Sequence, residues 1–309
     1  MATTVTVNSN YAGEVAGKIF GASFKEADTL AQNCLTVLPD IALQVSVRKI
    51  AYADGRTDYT CGFTPNGAVT RSERVLAPKK IKNELEICKE DFRQVWTSAT
   101  MGFSAHNDTM PKDESDALIA EMMASGAEKT DSHIWVGDAG NDGEFDGFIK
   151  LFTADADVIK HGSGLTAPGA ATDSSNVLAT FATVSAAIPV ALRRKSLKWM
   201  ISPDVADAYT QALIANGAAA GFGGNANTEL VYGRYALTVV NGLPDNTQVV
   251  WDPANAFFGT GLLNDHNSIR VKDMDESDLS GQVRYKEVFT AGVQYANSED
   301  IVWFLSTAV

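Results

Sequence analysis

The stretch of this 309-residue chain with the most evident chemistry is Asp138-Ala139-Gly140-Asn141-Asp142-Gly143-Glu144-Phe145-Asp146. Oxygen donors at alternating positions around a glycine are how a calcium loop is built, because a hard cation needs several oxygens converging from a sharply turned segment. The third position, however, is Gly140, and the twelfth is Ile149, where a bidentate acid belongs, so the segment reads as a solvated turn. The four histidines, His106, His133, His161 and His266, are scattered, and His133 beside Ile134 and Trp135 reads as a packed or capping residue. Gly221-Phe222-Gly223-Gly224 has no strand before it to aim it at a phosphate and reads as a loop. HExxH, P-loop, GxSxG and dinucleotide fingerprints are all missing, and no nucleophile has an evident base. The sequence therefore assigns no catalytic, cofactor-binding or metal residue, and a soluble metal-dependent enzyme is the remote alternative.

Composition narrows the class further. Hydrophobic residues make up 45% and charged residues 20%, the balance of a folded chain long enough to bury a sizeable core. Apolar runs such as residues 186–192 fall far short of the ~20 residues a bilayer helix needs, so no membrane partner is expected. A net charge of −13 argues against wrapping nucleic acid, which requires clustered lysine and arginine. An acidic face would instead repel nucleic acid and leave it free to move. Cys34, Cys61 and Cys88 are odd in number and widely spaced, which suggests neither a disulfide framework nor a zinc site and points to folding in a reducing cytoplasm. The first residues lack the basic start and apolar core of a signal peptide.

The elements that would position these residues follow from periodicity. Residues 1–40 are polar, then weakly amphipathic, and read as an extended arm with a short helix near residues 25–33. Leu43, Val45 and Val47 alternate with Gln44, Ser46 and Arg48, a half-exposed strand. A turn-rich stretch from Asp54 to Gly67 follows, and the chain returns at 69–75, making a long hairpin whose tip has little apolar content. An isolated two-stranded hairpin is marginal in water, so this one must lean on something. Ile81, Asn83, Leu85 and Ile87 mark another strand, and residues 89–100 a short helix. Pro111, Asp113 and Glu114 suit the start of a longer helix, whose stripe is Leu118, Ile119, Met122 and Met123 and which runs to about Lys129.

Beyond a loop over 161–176, Val177, Leu178, Phe181, Val184 and Ile188 form a helical face that Pro189 ends. A buried strand over 197–201 stops at Ser202-Pro203, a helix spans 204–214, and residues 215–227 form a Gly- and Ala-rich loop. Strands are expected at 237–240, 248–251, 256–259, 269–272, 283–295 and 301–305.

This order of blocks resembles the Hong Kong 97-type major capsid protein of tailed double-stranded DNA bacteriophages. The local echoes are Ile188-Pro189 with Arg193 and Arg194, Leu197-Lys198-Trp199-Met200-Ile201-Ser202-Pro203 leading into a helix, and Asn241-Gly242-Leu243-Pro244 after a strand. The resemblance implies an α+β fold: an N-terminal arm (1–40), an extended hairpin or E-loop (41–77), a peripheral domain with a long spine helix (78–144 and 257–309), and an axial α/β domain (145–256). It implies a virion shell protein assembled in the host cytoplasm, whose partners are itself, as hexamers and pentamers, with portal, scaffolding and possible decoration proteins. Packaged DNA would be contacted weakly and non-specifically. An encapsulin-type compartment shell is the nearest alternative. Some members carry a scaffolding region before the arm; none is present here, which implies a separate scaffold or a truncated form. Some also join subunits by a Lys–Asn isopeptide bond from the E-loop, but residues 54–70 contain no lysine, so no such cross-link is expected. Arg71, Glu73, Arg74, Lys79, Lys80 and Lys82 would pair with charges on neighbouring subunits.

Overall fold

The computed structural model describes residues 28–41, 43–59, 61–62, 65–88, 112–161, 164–165, 171–216, 230–261, 269–274 and 281–305. The helix expected at 89–100 and the loop expected at 215–227 lie essentially outside them, as do the side chains of Leu118, Ile119 and Met123.

Two five-stranded sheets organise the fold. The first is built around one long strand, β13 (Gln282–Tyr295). Along most of its length β4 (Lys79–Cys88) lies antiparallel on one side. On the other side β12 (Ile269–Asp273) pairs with its first half and β11 (Ala256–Thr260) with its last residues. Ala291 faces Lys79 on one side and Thr260 on the other, which fixes this arrangement. Odd positions of β13 are buried and most even ones face solvent, the period of a sheet covered on one side. The cover includes α2 (Lys112–Val136), whose Met122 packs near Ile87, Val283 and Tyr285.

The second sheet has the order β14 (Val302–Leu305), β10 (Thr247–Trp251), β7 (Lys198–Ile201), β9 (Tyr235–Val239), β8 (Val231–Tyr232). Its central strands are apolar on both faces because each face meets a different layer. Trp199, Ile201, Val250, Val302 and Phe304 point to α4 (Val177–Ala187) and α5 (Pro203–Ala215). Met200, Val249, Trp251 and Trp303 point into a second core with Trp135, Phe148, Phe152 and Phe258. There Trp135 and Trp251 stack at 5.3 Å between ring centroids, and Phe148 lies 4.8 Å from Trp251.

Several expected boundaries shift. The part of the 1–40 arm that is described is core: after α1 (Asp28–Ala31), Cys34 and Leu35 are buried, and β1 (Thr36–Leu38) runs parallel to β11. A buried polar tie holds it, since Asp131 accepts the Thr29 amide at 3.0 Å and Thr29 Oγ1 accepts Trp135 Nε1 at 2.9 Å. The long helix continues past Lys129 to Val136, where Ile134 and Trp135 are fully buried. α3 (Phe148–Ala154), counted with 145–256, sends Phe148 and Phe152 into the core shared with β11 and β13. The last strand, counted with 257–309, leaves the first sheet and pairs antiparallel with β10, where both of its apolar faces are covered. Within 161–176, β5 (Lys160–His161) and β6 (Gly164–Leu165) form a short parallel pair.

Candidate assembly surface

β2 (Val45–Ala53) and β3 (Ala68–Leu76) form a nine-pair antiparallel ladder that belongs to neither main sheet. The alternation that predicts it is real, but few of its side chains have anything to pack on. Ile50 and Tyr52 are 67% exposed, Val69 is 60% exposed, and at the tip Tyr59 is 90% exposed. The register places Ile50 beside Arg71 and Tyr52 beside Val69, so three of these apolar side chains share one face of the ribbon.

The hairpin is fixed to the body at its base. Leu76 and Ile41 are buried against Gly259, where a Cβ would come within 2.7 Å of Leu76 Cδ2 and 2.8 Å of Ile41 Cδ1, so any larger residue would make both side chains shift. Gln294 Nε2 donates to the Val75 carbonyl at 3.2 Å. Above this, Arg74 donates to the Asp155 carboxylate while its guanidinium lies 4.4 Å from the Tyr295 ring centroid. The Tyr295 hydroxyl donates to the same carboxylate at 2.8 Å. Lys49 donates to Asn297 and lies 3.7 Å from Glu299. Thus the face carrying Lys49 and Arg74 is tied to the body, and the face carrying Ile50, Tyr52 and Val69 is open.

Burial raises the Asp155 pKa, but the Asp157 amide, the Tyr295 hydroxyl and Arg74 outweigh it and hold the group below the ordinary carboxylate range. Burial, aided by its bond to Asp155, pushes the Tyr295 phenol well up. The latch is therefore a charged guanidinium, a carboxylate and a neutral phenol around neutral pH.

The charges expected to pair with neighbouring subunits divide. Arg74 turns inward to Asp155, Lys79 donates to the carbonyls of Ala139 and Asn141, and Lys82 donates to Glu84 on its own strand. The Asp138–Asp146 turn is likewise occupied from within. Lys150 Nζ donates to Asp138 Oδ1 at 2.6 Å and to Asp146 Oδ1 at 2.5 Å, while Glu144 accepts the Asp138 amide at 2.9 Å. A lysine ammonium sits where a calcium ion would draw these oxygens together, and among the described residues no group of three His, Cys, Asp or Glu converges to hold a metal. His133 packs edge-on to Phe145, and burial lowers its pKa despite Glu144 nearby. The Arg74–Asp155–Tyr295 latch escaped sequence reasoning, since nothing local joins residues so far apart in the chain.

No family model and no curated protein matches the sequence. Solved structures match it almost end to end. The capsid of the native GTA particle aligns over 97% of this chain and 96% of its own, with a TM-score of 0.67 at 13% identity. That of Microbacterium phage Oxtober96 aligns over 96% of both chains, with a TM-score of 0.59 at 14% identity. The capsid of Myoviridae phage XM1 aligns over 96% of this chain and 97% of its own, with a TM-score of 0.59 at 11% identity. The fold is the Hong Kong 97-type α+β capsid fold.

Proposed function

We propose that this chain is the major capsid protein of a tailed double-stranded DNA phage or a closely related particle, forming an icosahedral shell from hexamers and pentamers. The observation that carries the reading is a long, paired hairpin tied to the body along one face and open to solvent on the other, within a fold shared over nearly its full length with capsid subunits. A ribbon open on one face gains stability by covering another chain, and many repeated weak contacts make a closed shell cooperative. In this reading residues 41–77 reach a neighbouring subunit, the layer of α4 and α5 within 145–256 lies toward the axis of each capsomer, and the β13 sheet with α2 forms the peripheral wall. Portal, scaffolding and decoration proteins would dock on the assembled lattice in the host cytoplasm, and packaged DNA would meet an acidic chain only weakly.

Electron microscopy of the purified protein, alone and with its scaffold, tests this. Closed particles are expected; a stable monomer or dimer under every condition would overturn the reading. Nucleic acid within the particles separates a virion shell from an enzyme compartment. With no lysine between residues 54 and 70, the shell should run as a single subunit band on denaturing electrophoresis, and a covalent ladder would contradict this.

A further inference from the structure

The outward face of the first sheet breaks a rule of sheet construction. On it Arg270 lies directly opposite Lys286, and Lys272 directly opposite Arg284, two successive like-charge pairs across β12 and β13. Such pairs destabilise a sheet because the side chains sit only about 5 Å apart at Cβ. β4 adds Lys80 and Lys82 to the same face, so six cations stand there against two carboxylates, Glu84 and Glu86. Those two are already engaged: Glu84 accepts from Lys82 at 2.6 Å and lies 2.8 Å from Lys286, and Glu86 accepts from Arg284 at 2.6 Å. The Lys286 and Lys82 ammonium groups hold Glu84 at a pKa of about 2, so it stays ionised across the physiological range. Lys80, Arg270 and Lys272 are exposed and have no carboxylate partner among the described residues.

We propose that this face of β4, β13 and β12 is a cationic docking surface for the acidic surface of a second copy of this chain. The proposal rests on the shell reading above and gives it a second contact, separate from the hairpin. Charge complementarity selects the occupant. The chain carries −13 overall, so everything outside this basic patch is still more acidic, and a shell brings such surfaces together at high local concentration. Nucleic acid is disfavoured because Glu84 and Glu86 stand within the patch, where they would meet phosphates; a protein surface of mixed charge can accommodate them.

The test is an R270Q/K272Q double variant and a triple variant that adds Lys80→Gln. Since the side chains of these residues have no carboxylate partner among the described residues, and the double variant removes both like-charge pairs, the thermal midpoint of the isolated subunit should equal or exceed wild type. Assembly, followed by light scattering and sedimentation velocity from low to high salt, should require roughly tenfold more subunit for the triple variant. Its salt dependence should also be weaker than that of wild type. If wild type assembles and the variants match it in threshold and salt response, the docking surface is refuted while the shell reading stands. Unchanged assembly with lost binding to a duplex DNA fragment assigns the face to nucleic acid and also refutes the proposal. If wild type neither assembles nor self-associates at low salt, both readings fall.

Discussion

The β10 strand and the β2–β3 hairpin are both regular antiparallel structure, yet one is buried at every position and the other is exposed at nearly every position. β10 sits between β14 and β7, with α4 and α5 on one face and the aromatic core on the other. The hairpin has complete hydrogen bonding along its ladder and almost no packing beyond its base. Backbone pairing alone therefore does not tell where a strand draws its stability. One element is held by its own chain, and the other finds little in its own chain to pack against.

Trp251→Ala gives the sharpest contrast. Its indole is fully buried, stacks on Trp135 and donates to the Cys34 carbonyl at 2.6 Å, so its loss should cost about 3–5 kcal/mol in denaturant unfolding. Tyr52→Ala, an aromatic of the hairpin, should shift the isolated subunit by no more than ~0.5 kcal/mol yet impair particle formation. A Tyr52→Ala cost near that of Trp251→Ala would erase the distinction between the regions.

Removing residues 55–67 should likewise spare the subunit's unfolding midpoint while abolishing closed particles by electron microscopy, whereas a collapse of the midpoint would mean the tip supports its own subunit. Asp155→Asn tests the seam where the two regions meet and should loosen the hairpin base by roughly 1–2 kcal/mol, read as faster proteolysis between residues 43 and 75. Because the Asp155 pKa is depressed on folding, its contribution is fully present above the ordinary aspartate value and is lost as pH falls through the lower folded value. Protease sensitivity of the hairpin should therefore rise in acid in wild type and change little with pH in the variant. The smallest effect is chemical: exposed Cys61 and Cys88 should react with a thiol reagent in the native protein, while Cys34, its pKa pushed up to about 11 by burial, should react only on unfolding.

Much of the hairpin and of the second sheet's helices is legible in the sequence because each carries a one-sided period: Leu43, Val45 and Val47 for the first, Val177, Phe181 and Val184 for the second. Strand partners are another matter. Val302, Trp303 and Phe304 are apolar without alternation, so they announce burial on both faces but give no address, and their pairing with β10 emerges only in three dimensions. The three residues of β1 are too few to carry a period at all. The latch at Asp155 and the Lys150 clamp on the Asp138–Asp146 turn are single polar contacts, and one carboxylate in a sequence looks the same whether an arginine, a lysine or a cation will meet it.

β13 spans fourteen residues and pairs with β4 on one side and with β12 and β11 on the other. No one of these partners can peel away and free the whole strand, so native-state hydrogen exchange should find its central amides among the slowest in the molecule, opening only with global unfolding. The hairpin amides should exchange through small local openings long before that. A sheet with such a strand at its centre can let the hairpin beside it open without losing its own shape.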